Sequence, residues 1–509
     1  MKVLFLNPPD KYTLPEFPDE MGNSFIETDD FGHFPPLGML YVLSYMEKHA
    51  PEYELFFKDC VAEKVSHEDL AAYIEEVQPD YVGITSFTIA LVDVTKAAET
   101  VRKVCPDAKL VLGGHHPIAF PHEAAQLPQF DACIVGEGEV AFTELIKAWD
   151  QGKDINEIEG VYTREKIKNY ENSTEVDTRF LKSVSVPPAY IDDLSSVPIP
   201  NRKWIRHINY GSVVGKSSNM ATILSTRGCP YLCTFCDVPY KKYRTRSIEE
   251  VVDEIEECMA MGYDEFHFYD DLFNITSRKV IQFCDEVERR NLKFTWDFRG
   301  RANVVSKESL IRAKRAGCRL ISFGVETGTN EGLAELKKGV KVEKILQVFK
   351  WCREVGIISL ADYIIGFPFE RTVADINKNI DFLVEMDPDY AQVGILMLLP
   401  NTPLYNQGIA KGLIKQGAWE EFSLNPTTDF QISHWTEHHD LSTLVALQTA
   451  AYRRFYFRPK YIWRSLLKTT SWYEFKTKAK GAIKLFFSKV EAKIKSKDDG
   501  LIGDNSFRV

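Results

Sequence analysis

Three cysteines in the middle of the chain, Cys229, Cys233 and Cys236, stand at the spacing C-x3-C-x2-C. Three thiolates this close together can each bind one iron of a 4Fe-4S cubane and leave the fourth iron without a protein ligand. Zinc is the alternative, but a structural zinc site takes four ligands, and the next cysteine, Cys258, lies inside a predicted helix. The spacing therefore predicts an iron–sulfur cluster with one open coordination position.

The cysteine motif follows the first of six apolar runs that we interpret as β-strands. Amphipathic segments interpreted as helices separate these runs, and one of them begins with a capping box from Ser247 to Glu250. Six such units predict a partial TIM-type (β/α)6 barrel of parallel strands, with its functional groups at the carboxyl ends of the strands. The runs are residues 222–224, 266–269, 294–298, 320–325, 363–365 and 393–398.

The first 150 residues alternate short apolar runs with amphipathic segments, which predicts a doubly wound, Rossmann-like parallel sheet. Ligands of such sheets bind at the carboxyl ends of the strands. Two of these ends are rich in glycine and can leave backbone open to a large ligand, although glycines that only form turns are an equally good interpretation. A nucleotide is disfavoured because neither a P-loop nor a G-x-G-x-x-G sequence opens a helix here. The expected strand ends are Asn7-Pro8-Pro9, Ser86-Phe87-Thr88, Gly113-Gly114-His115-His116 and Gly136-Glu137-Gly138-Glu139.

The composition, 44% hydrophobic and 27% charged over 509 residues, is that of a soluble globular protein. We divide the chain into a domain at 1–150, a linker at 151–215, a barrel at 216–405 and a helical C-terminal extension at 406–509. Residues 406–452 of this extension are expected to face the substrate. Ten cysteines are too few for a disulfide scaffold, and the first apolar run is too short for a signal peptide, so we expect a cytoplasmic location.

The net charge of −11 hides a basic segment near the C-terminus. Residues 453–497 hold 14 Lys and Arg against two acidic residues, a surplus of 12, so the rest of the chain carries −23 and nucleic-acid binding is not expected. Apolar residues, with Trp463 and Trp472, alternate with the lysines and predict a basic amphipathic helix on the inner, anionic surface of a membrane. The alternative is that this helix packs its apolar face on the barrel and leaves its lysines in solvent.

The cysteine motif resembles that of the radical S-adenosylmethionine (SAM) superfamily, in which an aromatic or aliphatic residue, here Phe235, precedes the last cysteine. The resemblance implies that Cys229, Cys233 and Cys236 are the metal ligands and catalytic residues of a 4Fe-4S cluster that binds SAM and cleaves it to a 5′-deoxyadenosyl radical. It also implies SAM contacts at the downstream strand ends, although Asp270 and Asp271 can instead form a helix N-cap pair. The implied SAM-binding residues are Phe235, Asp270, Asp271, Arg299, Glu326, Ile365 and Gly366.

The N-terminal domain resembles the cobalamin-binding module of the cobalamin-dependent branch of this superfamily. The resemblance rests on Phe34-Pro35-Pro36-Leu37-Gly38, Val135-Gly136-Glu137-Gly138-Glu139 and Phe455-Tyr456-Phe457-Arg458-Pro459. A D-x-H-x-x-G sequence is missing, so no histidine is positioned as a lower axial ligand, and a loop or capping role for His115 and His116 is as well supported as cofactor contact. The implied cobalamin-binding residues are Pro8, Ser86, Phe87, Thr88, Gly113, Gly114, His115, Gly136, Glu137 and Gly138.

The resemblance implies a radical SAM enzyme that transfers a methyl group, by way of cobalamin, to an unactivated carbon of a small apolar substrate such as a lipid, an isoprenoid or a tetrapyrrole. Its partners would be that substrate and an electron donor of the flavodoxin or ferredoxin type. The alternatives are oxidative cyclisation or carbon–carbon bond formation without methylation. A methylthiotransferase would need a second cluster on N-terminal cysteines, but Cys60, Cys105 and Cys133 fall at a strand end, at a helix end and inside a strand. A cobalamin or iron sensor would not need the downstream SAM features.

Overall fold

The computed structural model describes residues 1–16, 32–170, 186–212, 215–216 and 219–469, together with residues 476, 479, 483 and 485. The basic segment predicted at 453–497 lies largely outside the described residues, and so does Trp472. The N-terminal elements are β1 (Lys2–Asn7), β2 (Gly32–His33), α1 (Leu37–His49), β3 (Glu54–Asp59), α2 (His67–Val77), β4 (Tyr81–Ser86), α3 (Leu91–Val104), β5 (Lys109–Gly114), α4 (His115–Ala119), α5 (Pro121–Gln126), β6 (Ala132–Ile134), α6 (Gly138–Asp150), β7 (Val161–Tyr162) and β8 (Gly211–Ser212).

The N-terminal sheet is doubly wound, as the sequence predicts. Its strand order is β3-β1-β4-β5-β6-β7; β7 is antiparallel to β6, and the other neighbours are parallel. Helices α1 and α6 pack on one face of the sheet, and α2 and α3 pack on the other. The strand order reverses between β1 and β4, so the crevice for a ligand lies at their carboxyl ends, beside Pro8 and Phe87.

The elements of the second half follow in the same alternating order. They are β9 (Met220–Ile223), β10 (Thr226–Arg227), β11 (Arg244–Thr245), α7 (Ile248–Ala260), β12 (Glu265–Phe268), α8 (Ser277–Arg289), β13 (Thr295–Gly300), α9 (Lys307–Arg315), β14 (Cys318–Glu326), α10 (Asn330–Glu335), α11 (Val342–Val355), β15 (Ile358–Ile365), α12 (Val373–Met386), β16 (Tyr390–Ile395), α13 (Pro403–Ala410), α14 (Ala418–Leu424), α15 (Leu441–Tyr456) and α16 (Pro459–Lys468).

The second sheet is the predicted partial barrel. Its six strands are all parallel, in the order β16-β15-β14-β13-β12-β9. The side chains that point outward, such as Phe268, Trp296 and Phe323, are buried against the surrounding helices. Because side chains alternate along a strand, the residues between them point into the barrel. The capping box at the start of α7 is present: the Ser247 hydroxyl accepts from the Glu250 N–H, and the Glu250 side chain accepts from the Ser247 N–H.

The edge of the barrel at β16 is covered by α15. The hydroxyl of Tyr452 accepts a hydrogen bond from the Val393 N–H (2.9 Å) and donates to the Val393 carbonyl (3.1 Å). The hydroxyl of Tyr456 makes the same pair of contacts with Ala391, at 3.0 and 2.9 Å. A four-residue step along a helix and a two-residue step along a strand span similar distances, about 6–7 Å, so the two tyrosines match two successive edge positions.

The C-terminal extension joins the two halves of the molecule. Residues 433–435 pair with 396–398 beyond the end of β16, and α14 packs on α5 of the N-terminal domain. Trp419, Phe422 and Trp435 are buried in one hydrophobic cluster with Phe120 and Phe130. The expectation that residues 406–452 face the substrate is therefore wrong for these side chains, because they form an interdomain core that the sequence alone could not locate.

Helix α16 packs at the opposite end of β16 from the cysteine motif. Arg464 forms an ion pair with Asp387, and the Tyr461 hydroxyl donates to the Asp389 carbonyl. Its other face exposes Ile462, Trp463, Leu466 and Leu467. Within the part of the chain that the structure describes, we find no helix whose length and apolar character would let it span a bilayer.

Candidate active site

The three motif cysteines differ from the other cysteines in their surroundings. Cys229, Cys233 and Cys236 are half-buried, whereas the remaining seven are buried. Burial raises the pKa of the Cys229 thiol, and it raises that of Cys236 to about 12. Thiols with raised pKa values are protonated at neutral pH unless a metal displaces the proton. The residues described contain no group of three His, Cys, Asp or Glu side chains placed around a single ion; a cubane binds its thiolates at separate irons, so its ligands need not converge on one point.

Two aspartates at the end of β12 fix the backbone just before Cys229. One oxygen of Asp270 accepts from the N–H groups of Ser225 (2.6 Å) and Thr226 (2.8 Å). Asp271 accepts from the Gly228 N–H at 3.1 Å. Burial raises the pKa of Asp270, and it raises that of Asp271 to about 6. These contacts give both carboxylates a role in positioning the cysteine loop, residues 228–243 between β10 and β11. The contact of the two carboxylates with SAM stays a prediction.

A carboxylate of the N-terminal domain holds both ends of the cysteine loop. We call Glu137, Glu139, Arg227 and Arg244 the interdomain clamp. Arg227 and Arg244 are register partners on β10 and β11, which flank the loop. Glu137 accepts from Arg227 at 2.9 Å with one oxygen and from Arg244 at 2.7 Å with the other, and Glu139 pairs with Arg227 at 2.5 Å. All four residues are buried or nearly so.

The electrostatics of the clamp favour the ionised carboxylate. Burial acts to raise the pKa of Glu137, but the charges of Arg227 and Arg244 and their hydrogen bonds outweigh it, so the pKa lies below its ordinary value. The Glu137 carboxylate also accepts from the Ile191 N–H at 2.6 Å. The contact of Glu137 with cobalamin, which the resemblance implies, stays a prediction; in the structure its carboxylate connects the strand end to the cysteine loop.

The predicted cobalamin residues divide into exposed and buried groups. Phe87 has 63% of its surface exposed, Gly114 is exposed, and Thr88, His115 and Gly113 are half-exposed. A β-carbon at Gly113 would meet nothing nearer than 3.9 Å, so this backbone is open to a ligand. Pro8 and Ser86 are buried, Ser86 with its hydroxyl on the Gly113 carbonyl at 2.6 Å. Contact with cobalamin stays a prediction for all of them.

At three of the predicted cobalamin-binding glycines, contacts within the protein explain why glycine is required. Gly114 has φ +91°, and a β-carbon there would lie 2.5 Å from the Ser86 nitrogen. Gly136 has φ +105°, and its β-carbon would lie 2.2 Å from the Ala189 carbonyl oxygen. A β-carbon at Gly138 would lie 3.2 Å from Val42. At these three positions glycine is therefore required by packing within the chain. Gly113 has no such close contact, so among the four glycines it is the one whose missing side chain is better explained by a ligand.

The two histidines of β5 and α4 have different surroundings. His116 is completely buried, with Nδ1 3.1 Å from the Thr88 hydroxyl. Burial, with a smaller effect of His115, lowers its pKa to about 3, so the ring is neutral. His115 stacks on Phe87 and lies 3.9 Å from Asp237, the residue after Cys236. The carboxyl end of the N-terminal sheet therefore faces the cysteine loop.

The loops after β14 and β15 are the expected SAM-binding region. Glu326 sits at a register shift between these strands with φ +67°, and its carboxylate accepts from Lys338 Nζ at 2.9 Å. Gly366 has φ +86° and donates its N–H to Glu370 at 2.7 Å. Phe235 packs edge-on against Phe367. Contact of Glu326, Gly366 and Phe235 with SAM stays a prediction.

Two further residues of this region are Ile365, the last residue of β15, and Asn379 on α12. The side chain of Ile365 is completely buried in the core behind the sheet, so the prediction of a SAM contact can hold only for its backbone. Sequence reasoning missed Asn379 on α12, which ties both loops together. Its side-chain oxygen accepts from the Gly328 N–H at 2.8 Å, and its amide donates to Glu370. An asparagine on the buried face of an amphipathic helix was the available signal.

The interior of the barrel is lined with polar side chains. His267 pairs with Asp297 on the neighbouring strand, and Ser322 donates to Asp362 at 2.6 Å. Burial raises the pKa of Asp362, and the charge of Arg299, which is exposed at the end of β13, acts to lower it. A substrate that enters the barrel therefore meets hydrogen-bonding groups on four successive strands.

The chain matches two family models in the order of its two sheets. The B12 binding domain matches residues 30–146, and the radical SAM superfamily matches residues 223–383. An uncharacterized methyltransferase of Pyrococcus horikoshii is 26% identical over 477 residues, which cover 92% of this chain and 95% of that protein. The anaerobic magnesium-protoporphyrin IX monomethyl ester cyclase of Cereibacter sphaeroides is 30% identical over 388 residues, which cover 74% of this chain and 60% of the cyclase.

Solved structures share the whole architecture. The radical SAM methyltransferase TsrM from Kitasatospora setae, with cobalamin and a 4Fe-4S cluster bound, has a TM-score of 0.70 at 17% identity and covers 95% of this chain and 99% of that one. The cobalamin-dependent SAM radical enzyme OxsB, with aqua-cobalamin bound, has a TM-score of 0.66 at 17% identity and covers 95% of this chain and 71% of that one.

The fold and the site define a radical enzyme in which a doubly wound domain faces the mouth of a partial barrel that carries a three-cysteine loop. The chain carries a B12 binding domain followed by a radical SAM domain, and it shares its fold with the cobalamin-dependent radical SAM enzymes TsrM and OxsB. Its cofactors are a 4Fe-4S cluster, SAM and cobalamin. The residues present fit them: the half-buried cysteines stand on the loop, and the open Gly113 and exposed Phe87 lie at the crevice of the N-terminal sheet.

Proposed function

We propose that this protein is a methyltransferase that acts on an unactivated carbon of a small molecule. The single observation that carries the proposal is the interdomain clamp, because Glu137 joins the strand ends expected to bind cobalamin to the loop expected to bind the cluster. When bound, the cofactors supply the radical and methyl-transfer chemistry. Relatives named as methyltransferases, such as the one from Pyrococcus horikoshii, support this assignment.

The chain's own residues provide position and surroundings. Asp270 and Asp271 fix the backbone that leads to Cys229, and Asn379 ties the two loops expected to hold SAM. Holding the reacting groups in one orientation is a large part of what a protein contributes to such a reaction. The cluster of Trp419 and Trp435 closes the side where the two domains meet.

The substrate that we propose is amphipathic. An apolar body, such as a lipid, isoprenoid or tetrapyrrole, matches the substrate class expected from the sequence. The polar lining formed by His267, Asp297, Ser322 and Asp362 favours a molecule whose buried end carries hydrogen-bonding groups. An electron donor of the flavodoxin or ferredoxin type is needed to reduce the cluster.

The test is incubation of the reconstituted enzyme with SAM deuterated in its methyl group, a reductant and candidate amphipathic substrates. We expect a product that carries the labelled methyl, together with S-adenosylhomocysteine and 5′-deoxyadenosine. The Ser322→Ala variant should raise KM more than Ser306→Ala, which alters a hydroxyl that caps α9 outside the barrel. A product without label, formed with 5′-deoxyadenosine alone, would contradict methylation.

Radical chemistry without methylation is the second candidate. One observation favours it: the cyclase of Cereibacter sphaeroides, whose name describes a ring closure, is 30% identical to this chain. The same incubation separates the two candidates, because a cyclase would leave the labelled methyl on methionine. Net loss of hydrogen from the substrate would then be visible by mass spectrometry.

We also propose that α16 makes peripheral contact with an anionic lipid surface. Trp463 is 68% exposed and Leu467 is 71% exposed, and the Lys460 side chain beside them is 83% exposed. Because α16 lies at the far end of β16 from the cysteine loop, such contact would not bring the barrel mouth to the bilayer. In sedimentation with phosphatidylglycerol vesicles, Trp463→Ser with Leu467→Ser should bind several-fold less than wild type, whereas Ile311→Ser on α9 should not. Equal binding by all three would contradict the contact.

A further inference from the structure

Arg301 lies just beyond the end of β13 and is held rigidly. Asn274, itself buried, accepts from the Arg301 N–H at 2.9 Å and donates to the Arg301 carbonyl at 3.0 Å. A β-carbon at Gly300 would lie 2.6 Å from the Asn274 side-chain oxygen, so the glycine is what lets Asn274 approach. Asn274 therefore fixes the backbone of Arg301 independently of the contacts that the Arg301 side chain makes.

The guanidinium group of Arg301 is fixed as well. It stacks on the ring of Tyr231, 3.7 Å from the ring centre, and it donates to the Lys338 carbonyl. One of its nitrogens, Nη1, lies 3.4 Å from Cys233 Sγ. Tyr231 belongs to the cysteine loop, and the Lys338 side chain pairs with Glu326. Arg301 thus touches one predicted cluster ligand, Cys233, and the region expected to bind SAM.

The charge of Arg301 lacks a carboxylate partner. Only 8% of the residue is exposed, yet among the described residues it forms no ion pair. A buried charge without a counter-charge is strongly disfavoured, so such a group usually faces an anion. The match to the radical SAM superfamily puts an anionic group beside it, the cluster with its three thiolates, of which Cys233 lies within contact of the guanidinium.

We infer that Arg301 is a positioning residue that donates an N–H···S hydrogen bond to the cluster ligand Cys233 and raises the reduction potential of the cluster. Hydrogen bonds to cluster sulfurs and nearby charge are among the factors that set this potential. One-electron reduction adds a negative charge to the cluster, which a fixed guanidinium stabilises. The inference rests on the cluster assignment and not on methyl transfer.

The test is the midpoint potential of the cluster in anaerobically reconstituted full-length protein, measured by redox titration with electron paramagnetic resonance detection and without SAM. We expect Arg301→Gln to make reduction at least tenfold less favourable, a downward shift of about 59 mV for one electron. Arg301→Lys, which keeps the charge, should shift the potential less. Arg206→Gln is the matched control, since Arg206 also stacks on a tyrosine, Tyr263, but lies away from the cysteine loop; its potential should be that of the wild type.

Each other outcome is decisive. A wild-type potential in Arg301→Gln, or an equal shift in the Gln and Lys variants, would overturn the inference. Failure of both variants to bind iron would assign Arg301 a structural role and also overturn it, whereas iron binding by the Lys variant alone would support it. If methyl transfer is not found but the shift is, the proposed function fails and the role of Arg301 stands.

Discussion

Glu137 and Arg227 form a buried ion pair, 2.9 Å long, between the carboxyl end of the N-terminal sheet and the start of the cysteine loop. The second oxygen of Glu137 holds Arg244 at the other end of that loop. One carboxylate thus fixes the orientation of the loop relative to the predicted cobalamin crevice. Together with the buried cluster of Trp419, Phe422 and Trp435, this contact holds the two predicted cofactor sites in a fixed relative position.

Removal of one clamp partner should destabilise the docked arrangement. In Arg227→Met, Glu137 keeps only one of its two arginine partners, Arg244, and Glu139 loses its ion pair. We therefore expect the free energy of unfolding to fall by about 3–5 kcal/mol, as for other broken buried pairs. The matched control is Arg312→Met, whose ion pairs with Asp285 and Glu288 lie at the surface and should be worth less than about 1 kcal/mol. Denaturant unfolding and limited proteolysis measure the difference. Similar free energies of unfolding for the two variants would contradict a stabilising role of the clamp.

The clamp should also give stability a specific pH dependence. The pKa of Glu137 lies below its ordinary value of 4.5, so its ionised form stabilises the folded protein above that pH. This contribution is lost as the pH falls from 4.5 through the lowered pKa, because over that range the unfolded state binds a proton that the ionised Glu137 of the folded state does not. The difference in unfolding free energy between wild type and Glu137→Gln should be constant near neutral pH and shrink below 4.5. A difference that grows on acidification would contradict the lowered pKa.

Cobalamin should bind without a histidine nitrogen on cobalt. His116 is completely buried and held by the Thr88 hydroxyl, and His115 stacks on Phe87 beside Asp237. Electron paramagnetic resonance of the cob(II)alamin form of the full-length protein should lack superhyperfine splitting from a protein nitrogen. Splitting that disappears in His115→Ala would mean that this ring is an axial ligand.

The tyrosine contacts on β16 should be measurable as stability. Tyr452→Phe leaves the Val393 N–H without its acceptor, whereas the Val393 carbonyl keeps the Gln448 amide as a donor at 2.7 Å. An unpaired buried donor costs about 1–3 kcal/mol. Tyr73→Phe, which removes a half-buried hydroxyl without a hydrogen bond in the described chain, should cost much less. Equal losses of stability in the thermal unfolding of the two variants would show that the Tyr452 hydroxyl does not stabilise the edge of the barrel at β16.

The cysteine motif, the parallel sheets and the capping box of α7 could be predicted because they depend on local spacing and periodicity. The partner of Glu137 could not, since Arg227 is 90 positions away and belongs to another sheet. Asp270 was expected at a SAM site from its strand end, but that position also faces the backbone of the neighbouring strand. Gly136 looked like an opening for a ligand, and only the approach of Ala189 shows that packing requires it. The spacing of Tyr452 and Tyr456 was visible, but their match to β16 needs the fold.

The most direct measurement is the iron and cobalamin content per chain of anaerobically reconstituted full-length protein, compared with the variant in which Cys229, Cys233 and Cys236 are all Ala. We expect about four irons and one cobalamin in the wild type, and no iron with unchanged cobalamin in the variant, because the two cofactors use different domains. Cys258→Ala, at a buried cysteine outside the loop, should match the wild type. About eight irons without cobalamin in the wild type, or a full cluster in the triple variant, would contradict the assignment.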